Sequence, residues 1–231
     1  MLHANQGISS VPALEDGYEI IGEFLSHDQL VAIISEIESI ELPAKVGGIR
    51  NAEKKFSSIR ELANSEKLRI QAKKYLSGKA SLVRAILFNK TTENNWLVTW
   101  HQDRTIAVSE RFERNQWGPW SVKDGIHHVQ PSVDALNQMI TFRIHLDDTS
   151  QENGCLKILP KSQKLGILDH GSIQDYVQNH NPIICEALAG SVLVMRPHIL
   201  HSSSKASNPS QRRVLHLEYS SFKLPPGVAW A

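Results

Sequence analysis

Apolar residues recur at helical spacing in the first part of the chain. Three to four residues separate the members of this run, which are Leu30, Ile33, Ile34, Ile37 and Ile40, so they would lie on one face of an α-helix. Ser26 precedes the run and is a suitable N-cap. A second helical pattern covers residues 60–75 and ends before Gly78. The pattern therefore predicts that residues 1–80 are mainly helical.

From about residue 80 onward the pattern changes to short runs rich in Val, Ile, Leu and Thr, separated by Gly, Asn and Pro. Such runs predict β-strands. The predicted strands are residues 82–88, 96–103, 139–146, 155–159, 183–187, 191–195 and 212–219. Helices followed by strands, without regular alternation of the two, indicate the α+β class. We expect residues 81–221 to form an antiparallel sandwich or barrel.

Residues 104–137 lack a clear strand pattern and directly follow a predicted strand. A long loop in a compact domain is often a binding loop or a lid. We predict a lid that orders over the substrate, with Trp117, Trp120 and His128 in contact with it. The alternative is that the aromatic residues only close the open end of the barrel.

Composition changes this picture little. The chain has 231 residues, of which 41% are hydrophobic and 21% charged, as in one globular domain. A net charge of +1 gives no general attraction to nucleic acid or membranes. Cys155 and Cys185 form no CxxC motif, and no signal peptide is recognisable. We predict a cytoplasmic protein with one domain, residues 1–231, and a small-molecule partner. The oligomeric state is left open.

Charge is unevenly distributed in the first ninety residues. Residues 1–44 contain eight acidic side chains and no Lys or Arg, whereas residues 45–90 contain twelve basic and three acidic ones. The basic segment could be an anion-binding surface for a phosphorylated or CoA-linked substrate. We favour the simpler interpretation, in which the two segments pack together and neutralise each other.

Metal-binding chemistry is first indicated by the sequence WHQD at residues 100–103. His101 and Asp103 are two residues apart on a predicted strand, so their side chains would point to the same face. An imidazole and a carboxylate on one face can supply two ligands of a 2-His-1-carboxylate iron site. The third ligand would come from another strand.

The candidates for this third ligand are His127, His128, His145, His198 and His201. We favour His201, because Arg212 follows it by eleven residues at the start of a predicted strand. A guanidinium group near an iron site can bind a dicarboxylate in bidentate fashion.

Four motifs occur in this order: WHQD, HLDDTSQENGCLKILPKSQ at 145–163, GSVLVMRPHILHSS at 190–203, and RRVLHLEYSS at 212–221. Over roughly residues 80–221 the chain resembles the phytanoyl-CoA dioxygenase-like family of iron(II)- and 2-oxoglutarate-dependent oxygenases. The resemblance implies a double-stranded β-helix, or jelly roll, with the N-terminal helices packed on one sheet. It also implies that 2-oxoglutarate and O₂ are consumed, that succinate and CO₂ are released, and that a small organic molecule is hydroxylated or otherwise oxidised.

The same resemblance implies a role for individual residues. The iron(II) ligands would be His101, Asp103 and His201. Arg212 would bind 2-oxoglutarate, and Ser203 would add a hydrogen bond.

Strand periodicity leaves the choice of arginine open. Arg212, His216 and Glu218 share one face of the last strand, whereas Arg213 lies on the apolar face. We prefer Arg212, because the apolar face of a jelly-roll sheet can lie beneath the helices.

Two further cations are candidates near the site. Lys90 could reach 2-oxoglutarate, or it could be a solvated lysine at a strand end. Arg143 could contact the substrate, or it could form an ion pair with Asp147 or Glu218.

Two other functions compete with the oxygenase. A halogenase would need chloride in place of the carboxylate ligand, and Asp103 argues against it. A non-catalytic jelly-roll protein that binds a small molecule is the other alternative, and the intact set of ligands together with Arg212 argues against it.

Overall fold

The computed structural model describes residues 14–41 and 47–231. Its helices are α1 His27–Glu38, α2 Ala52–Lys55, α3 Ser57–Ala63, α4 Glu66–Lys73, α5 Val133–Asn137 and α6 His170–Asn179, with a 3₁₀ turn at Ser162–Leu165. Ser26 caps α1 as predicted, in a capping box with Gln29. The single helix predicted for residues 60–75 is wrong, because the Ser65 hydroxyl accepts a hydrogen bond from the Leu68 N–H and starts a separate helix, α4.

Thirteen strands are present among the described residues. They are β1 Tyr18–Ile21, β2 Gly48–Arg50, β3 Ser81–Lys90, β4 Val98–His101, β5 Ile106–Val108, β6 Trp120–Lys123, β7 Ile126–Val129, β8 Met139–His145, β9 Leu156–Leu159, β10 Ile183–Cys185, β11 Val192–Met195, β12 Leu200–Ser203 and β13 Arg212–Ser220. A six-stranded sheet has the order β1-β11-β8-β13-β3-β2, and a four-stranded sheet has the order β10-β9-β12-β4. Their strands pair antiparallel, as the α+β jelly-roll prediction requires.

The main apolar core lies between the six-stranded sheet and the N-terminal helices. Leu215, Leu217 and Tyr219 of β13 pack in it together with buried residues of α1, α3 and α4. Because side chains alternate along a strand, Arg212, His216 and Glu218 point to the opposite face, toward the four-stranded sheet. The site lies in the space between the two sheets, among these polar side chains, and another part of that space holds an apolar cluster that includes Ile158, Leu193 and Met195.

The described N-terminal part contains four helices, as its apolar periodicity predicted, and also two strands that the periodicity did not predict. β1 pairs with β11 at one edge of the six-stranded sheet, and β2 pairs with β3 at the other. Both strands are short and carry no strong alternation, so their pairing depends on sheet edges formed by distant residues.

The long loop predicted for residues 104–137 is also wrong. The segment contains a three-stranded antiparallel sheet of order β5-β7-β6, followed by α5. This sheet borders the cavity between the other two sheets and contributes Lys123 and His128 to the cavity wall.

The expected neutralisation between the acidic and basic segments is not observed in residues 14–41 and 47–90. The acidic side chains Glu15, Asp16 and Glu38 pair with Lys164, Lys161 and Arg213. In the basic segment, Arg50 and Arg84 pair with Asp124 and Glu218. The described helices include none with the length and apolar character needed to cross a membrane.

Candidate functional site

His101, Asp103 and His201 meet at one end of the cavity. His101 at the end of β4 lies directly opposite His201 of β12, and their ring centroids are 4.2 Å apart. Asp103 Oδ1 is 3.6 Å from His101 Nε2, and Asp103 Oδ2 is 3.5 Å from His201 Nε2. Antiparallel pairing of two distant strands brings the two imidazoles together, and Asp103 follows β4 by two residues, where its N–H donates to the Pro197 carbonyl at 3.0 Å. The three donor atoms lie within 4.8 Å of one another.

Both imidazole rings are oriented by the backbone. His101 Nδ1 is 2.8 Å from the Thr99 carbonyl, and His201 Nδ1 is 2.8 Å from the Ile199 carbonyl. A carbonyl oxygen can only accept, so each Nδ1 carries the proton and donates it. This tautomer leaves the Nε2 lone pair free and directed toward Asp103, as a metal ligand requires.

The protonation states of the group also suit metal binding. Burial lowers the pKa of His201 to about 3, so the ring is neutral at physiological pH. Burial alone would raise the pKa of Asp103, but His201 and His101 outweigh it and hold that pKa well below its usual range. Burial lowers the pKa of His101, but the hydrogen bond and charge of Asp103 outweigh it and raise that pKa, so a metal ion would displace a proton from His101 Nε2 on binding. Two imidazoles and one carboxylate are the donor set of non-haem iron(II).

A second group of metal-type side chains, Asp103, His216 and Glu218, is occupied by other contacts. Arg143 Nη1 donates to His216 Nδ1 at 3.0 Å, which fixes the proton of His216 on Nε2, and Nε2 donates to Glu218 Oε1 at 2.9 Å. Arg84 Nη2 also donates to this carboxylate oxygen, at 2.7 Å. Because the His216 nitrogen that faces Asp103 carries a proton, it cannot ligate the same metal.

The cation predicted to bind 2-oxoglutarate lies in the cavity wall. Arg212 is 4% exposed, its Nε has no hydrogen-bond partner among the described residues, and it belongs to none of their ion pairs. Burying a guanidinium is costly unless a partner compensates it. An incoming carboxylate would supply that partner.

Arg213 points the other way. It donates to Asp147 at 2.9 and 2.7 Å and to Glu38 of α1 at 2.8 Å. Its guanidinium is therefore fully engaged beneath the helices, on the face that β13 turns away from the cavity. The ion pair with Asp147 that the sequence suggested for Arg143 belongs to Arg213 instead.

Lys90, Ser203 and Arg143 adjoin Arg212. Lys90 is opposite Arg212 in the β3–β13 register, and its Nζ donates to Ser203 Oγ at 3.0 Å and to the Ser204 carbonyl at 2.9 Å. Burial, followed by the charges of Arg212 and Arg143, lowers the pKa of Lys90 to about 8. Lys90 is therefore a buried hydrogen-bonded group and not a solvated strand end.

The two tryptophans predicted to contact substrate are elsewhere. Trp117 and Trp120 pack with Phe112 at ring-centroid distances of 5.1 and 5.2 Å, and Trp117 also contacts Phe222 from the C-terminal segment. Neither tryptophan lines the cavity, because both pack in an apolar cluster with Phe222 and other residues of the C-terminal segment. The geometry corresponds to the alternative of a structural cap.

His128 does line the cavity, and three unpredicted cations accompany it: Arg50, Arg84 and Lys123. The basic segment of the sequence was a signal for Arg50 and Arg84, but it could not show which of its twelve cations face inward. The sequence did not indicate Lys123, because β6 was predicted to be part of a loop and no face could be assigned to its side chains.

Gln102, between the two metal-type residues of the WHQD motif, was also missed. Its amide nitrogen donates to the carbonyls of Gly166 and His198 at 2.7 and 2.8 Å, and its amide oxygen accepts from the Leu168 N–H at 2.9 Å. These bonds join the end of β4 to the segment that precedes α6 and to the connection between β11 and β12.

Replacing Gln102 with leucine is expected to lower the free energy of unfolding by about 2–4 kcal/mol, because buried backbone groups lose their partners. Urea denaturation followed by circular dichroism measures the change. The exposed residue Gln174 offers a matched control, since Gln174→Leu should change stability by less than about 0.5 kcal/mol. Equal stabilities of the two variants would contradict a structural role for Gln102.

The jelly roll, the 2-His-1-carboxylate group and the uncompensated Arg212 beside it together define an iron(II)- and 2-oxoglutarate-dependent oxygenase. A family model described as "Phytanoyl-CoA dioxygenase (PhyH)" matches residues 13–214. The chain belongs to this family.

Comparison with individual proteins agrees with the family. The chain is 23% identical to the "Probable alpha-ketoglutarate-dependent hypophosphite dioxygenase" of Stutzerimonas stutzeri, over 89% of this chain and 75% of that protein. Its fold resembles AviO1 from Streptomyces viridochromogenes, with a TM-score of 0.68, 20% identity, and coverage of 92% and 93% of the two chains. It also resembles HygX from Streptomyces hygroscopicus with nickel, 2-oxoglutarate and hygromycin B bound, with a TM-score of 0.64, 14% identity, and coverage of 89% and 83%.

Proposed function

We propose that this oxygenase oxidises a small molecule beside a single iron(II) ion ligated by His101, Asp103 and His201. The observation that carries the assignment is the fixed orientation of both imidazoles, whose Nε2 atoms converge on the Asp103 carboxylate. Iron and 2-oxoglutarate would supply the oxidising power, since conversion of 2-oxoglutarate to succinate and CO₂ activates O₂ for attack on the substrate.

Arg212 is proposed to bind the distal carboxylate of 2-oxoglutarate. Support comes from its burial, its lack of an ion pair among the described residues, and its position in the same cavity as the proposed iron ligands. The Lys90 ammonium group, which donates to Ser203 Oγ and to the Ser204 carbonyl, has a third N–H for this carboxylate. The Ser203 hydroxyl donates its own proton to the Gly154 carbonyl at 2.8 Å, so Ser203 would hold Lys90 in place. Arg143 is proposed to hold His216 and to add positive charge near the cosubstrate, a different role from the substrate contact suggested by the sequence.

The remaining cavity is suited to a small substrate. The whole cavity, including the space for iron and 2-oxoglutarate, has a volume of about 490 Å³, within the range of small-molecule sites, so the part that remains can hold only a small substrate. The names of a relative and of a structural neighbour include the small molecules hypophosphite and hygromycin B, which supports a small substrate. We propose no nucleic-acid or membrane partner. The Asp103 carboxylate lies within 3.6 Å of both histidine Nε2 atoms. This argues against a halogenase, in which chloride takes the place of the carboxylate ligand.

We also propose that the chain forms one domain and that the protein is cytoplasmic. Cys155 and Cys185 are both buried and unpaired, and unpaired cysteines are typical of a reducing compartment. The proposed iron ligands and Arg212 all lie on strands or strand ends of the two packed sheets, which supports a single folded unit.

Anaerobic addition of iron(II) and then 2-oxoglutarate tests the proposal directly. We expect a weak visible charge-transfer band that needs both additions. On exposure to O₂, succinate release should be stimulated by the correct member of a panel of small molecules. If the wild-type protein bound iron(II) but gave neither the band nor any succinate, the proposed function would be wrong.

A further inference from the structure

The cavity has an excess of positive charge that binding of iron(II) and 2-oxoglutarate would leave unchanged. Of the described residues that line it, one is a carboxylate, Asp103, and six are cations: Arg50, Arg84, Lys90, Lys123, Arg143 and Arg212. Glu218 and Asp124 lie next to the cavity and compensate Arg84 and Arg50. Six cations against three carboxylates leave an excess of three positive charges. Iron(II) and the 2-oxoglutarate dianion cancel each other, so this excess persists in the loaded site.

The cations form two separate groups. The first, which we call the cosubstrate group, consists of Arg212, Arg143 and Lys90, whose charges affect one another. The second, which we call the outer group, consists of Arg50, Arg84 and Lys123 around His128. Burial lowers the pKa of His128 to about 4, and the charges of Arg84, Lys123 and Arg50 contribute to this in that order. All four outer side chains also border a smaller adjoining recess, which the cosubstrate group does not reach.

Some polar atoms in and around the outer group form no hydrogen bond within the described residues. His128 Nδ1 and Arg84 Nε are buried and have no hydrogen-bond partner in the described part of the chain. Arg84 is held in place by Glu218, which His216 fixes in turn. Buried polar atoms normally have partners, so a preorganised cation with a neutral imidazole beside it indicates a ligand that accepts hydrogen bonds.

We propose that the substrate carries an oxyanion group, and that Arg84, His128 and Lys123 bind this group next to Asp103. The inference rests on the proposed function, because it assigns the cosubstrate group to 2-oxoglutarate. Guanidinium and ammonium groups recognise carboxylate, phosphonate and sulfonate oxygens through charge-assisted hydrogen bonds. Field lines focused in a narrow cleft would also raise the local concentration of such an anion.

Titration calorimetry on the protein loaded with nickel(II) and 2-oxoglutarate tests this without turnover. The probes are ethylphosphonate, propionate and ethanesulfonate, with diethyl ethylphosphonate as the neutral counterpart of the first. We expect at least one anion to bind with one-to-one stoichiometry and to bind at least about tenfold more tightly than the neutral ester. The three anions distinguish phosphonate, carboxylate and sulfonate chemistry.

Matched variants locate the anion. Lys123→Gln should weaken its binding about three- to fivefold, as expected for one exposed charge, and Lys123→Glu should weaken it further. Lys79→Gln is the control, since Lys79 lines a separate groove and its loss should have no effect. Arg84→Gln alone would leave Glu218 buried without its cation. The double variant Arg84→Gln/Glu218→Gln removes both charges together and should weaken the anion at least about tenfold.

Three results would overturn the inference: binding of the ester as tight as that of every anion, unchanged anion affinity in both the Lys123 and the double variant, or displacement of 2-oxoglutarate by the anion. Failure of the wild-type protein to bind nickel(II) or 2-oxoglutarate would overturn the proposed function as well. Measuring 2-oxoglutarate affinity before each anion titration distinguishes the two failures.

Discussion

Replacing His201 with alanine is expected to abolish iron(II) binding and 2-oxoglutarate turnover. His201 Nε2 is one of three converging donor atoms, and the two that remain cannot hold the ion in the same geometry. Since loss of a residue that merely orients a ligand costs 10–100-fold in metal affinity, loss of a ligand itself should cost more than about 100-fold. Anaerobic iron titration and succinate release measure both effects.

The matched control is His198→Gln. His198 is buried three residues earlier, and it does not belong to the group of donor atoms around Asp103. This variant should retain iron binding, and circular dichroism should show that both variants are folded, because the main apolar core lies on the other side of the six-stranded sheet. Full iron-dependent activity in His201→Ala, or loss of iron binding in His198→Gln alone, would contradict the ligand assignment.

Arg212→Ala is expected to weaken 2-oxoglutarate binding by about 2–5 kcal/mol, or about 30- to 5,000-fold. The buried guanidinium has no carboxylate partner among the described residues and would form its charge-assisted bonds with the cosubstrate. Arg212→Lys should recover only part of the affinity, because an ammonium group cannot form the bidentate pair. The charge-transfer band, titrated with 2-oxoglutarate in the presence of iron(II), gives the affinities.

Arg213→Ala should lower the stability of the protein and leave 2-oxoglutarate binding unchanged. Arg213 joins Asp147 and Glu38 on the helix side of β13, so its loss should lower the free energy of unfolding by about 3 kcal/mol and leave the Asp147 carboxylate without a cation, with only the backbone N–H of residue 213 as a donor. The folded fraction should still bind 2-oxoglutarate normally. Normal affinity in Arg212→Ala together with weakened affinity in Arg213→Ala would reverse the assignment of the two arginines.

Local patterns in the sequence were sufficient to predict most of the regular structure. Each of the seven predicted strands overlaps an observed one, and the start of α1 follows from the Ser26 capping box. The WHQD motif predicted that His101 and Asp103 share a face, since strand alternation depends only on the order of residues. The order of the four motifs indicated His201 and Arg212 through family resemblance, and the fold and family predictions are confirmed.

Features that depend on contacts between distant segments could not be predicted in the same way. The sheet at residues 106–129 was taken for a lid because its strands are only three or four residues long, and their stability comes from pairing and from the C-terminal segment. The aromatic residues of that segment were assigned to the substrate for the same reason. Nothing in their spacing showed that Phe222 would cover them.

The two faces of β13 show most clearly which features follow from the sequence alone and which depend on the tertiary structure. The sequence by itself determined that Arg212 and Arg213 lie on opposite faces, because alternation is a property of the strand. Only the tertiary structure decided which face meets the cavity, since this depends on where α1 and its Glu38 pack. The outer cations are a second example, because the sequence showed Arg50 and Arg84 only as members of a basic segment. Their convergence with Lys123 and His128 required the pairing of β2 with β3 and the packing of a separate three-stranded sheet.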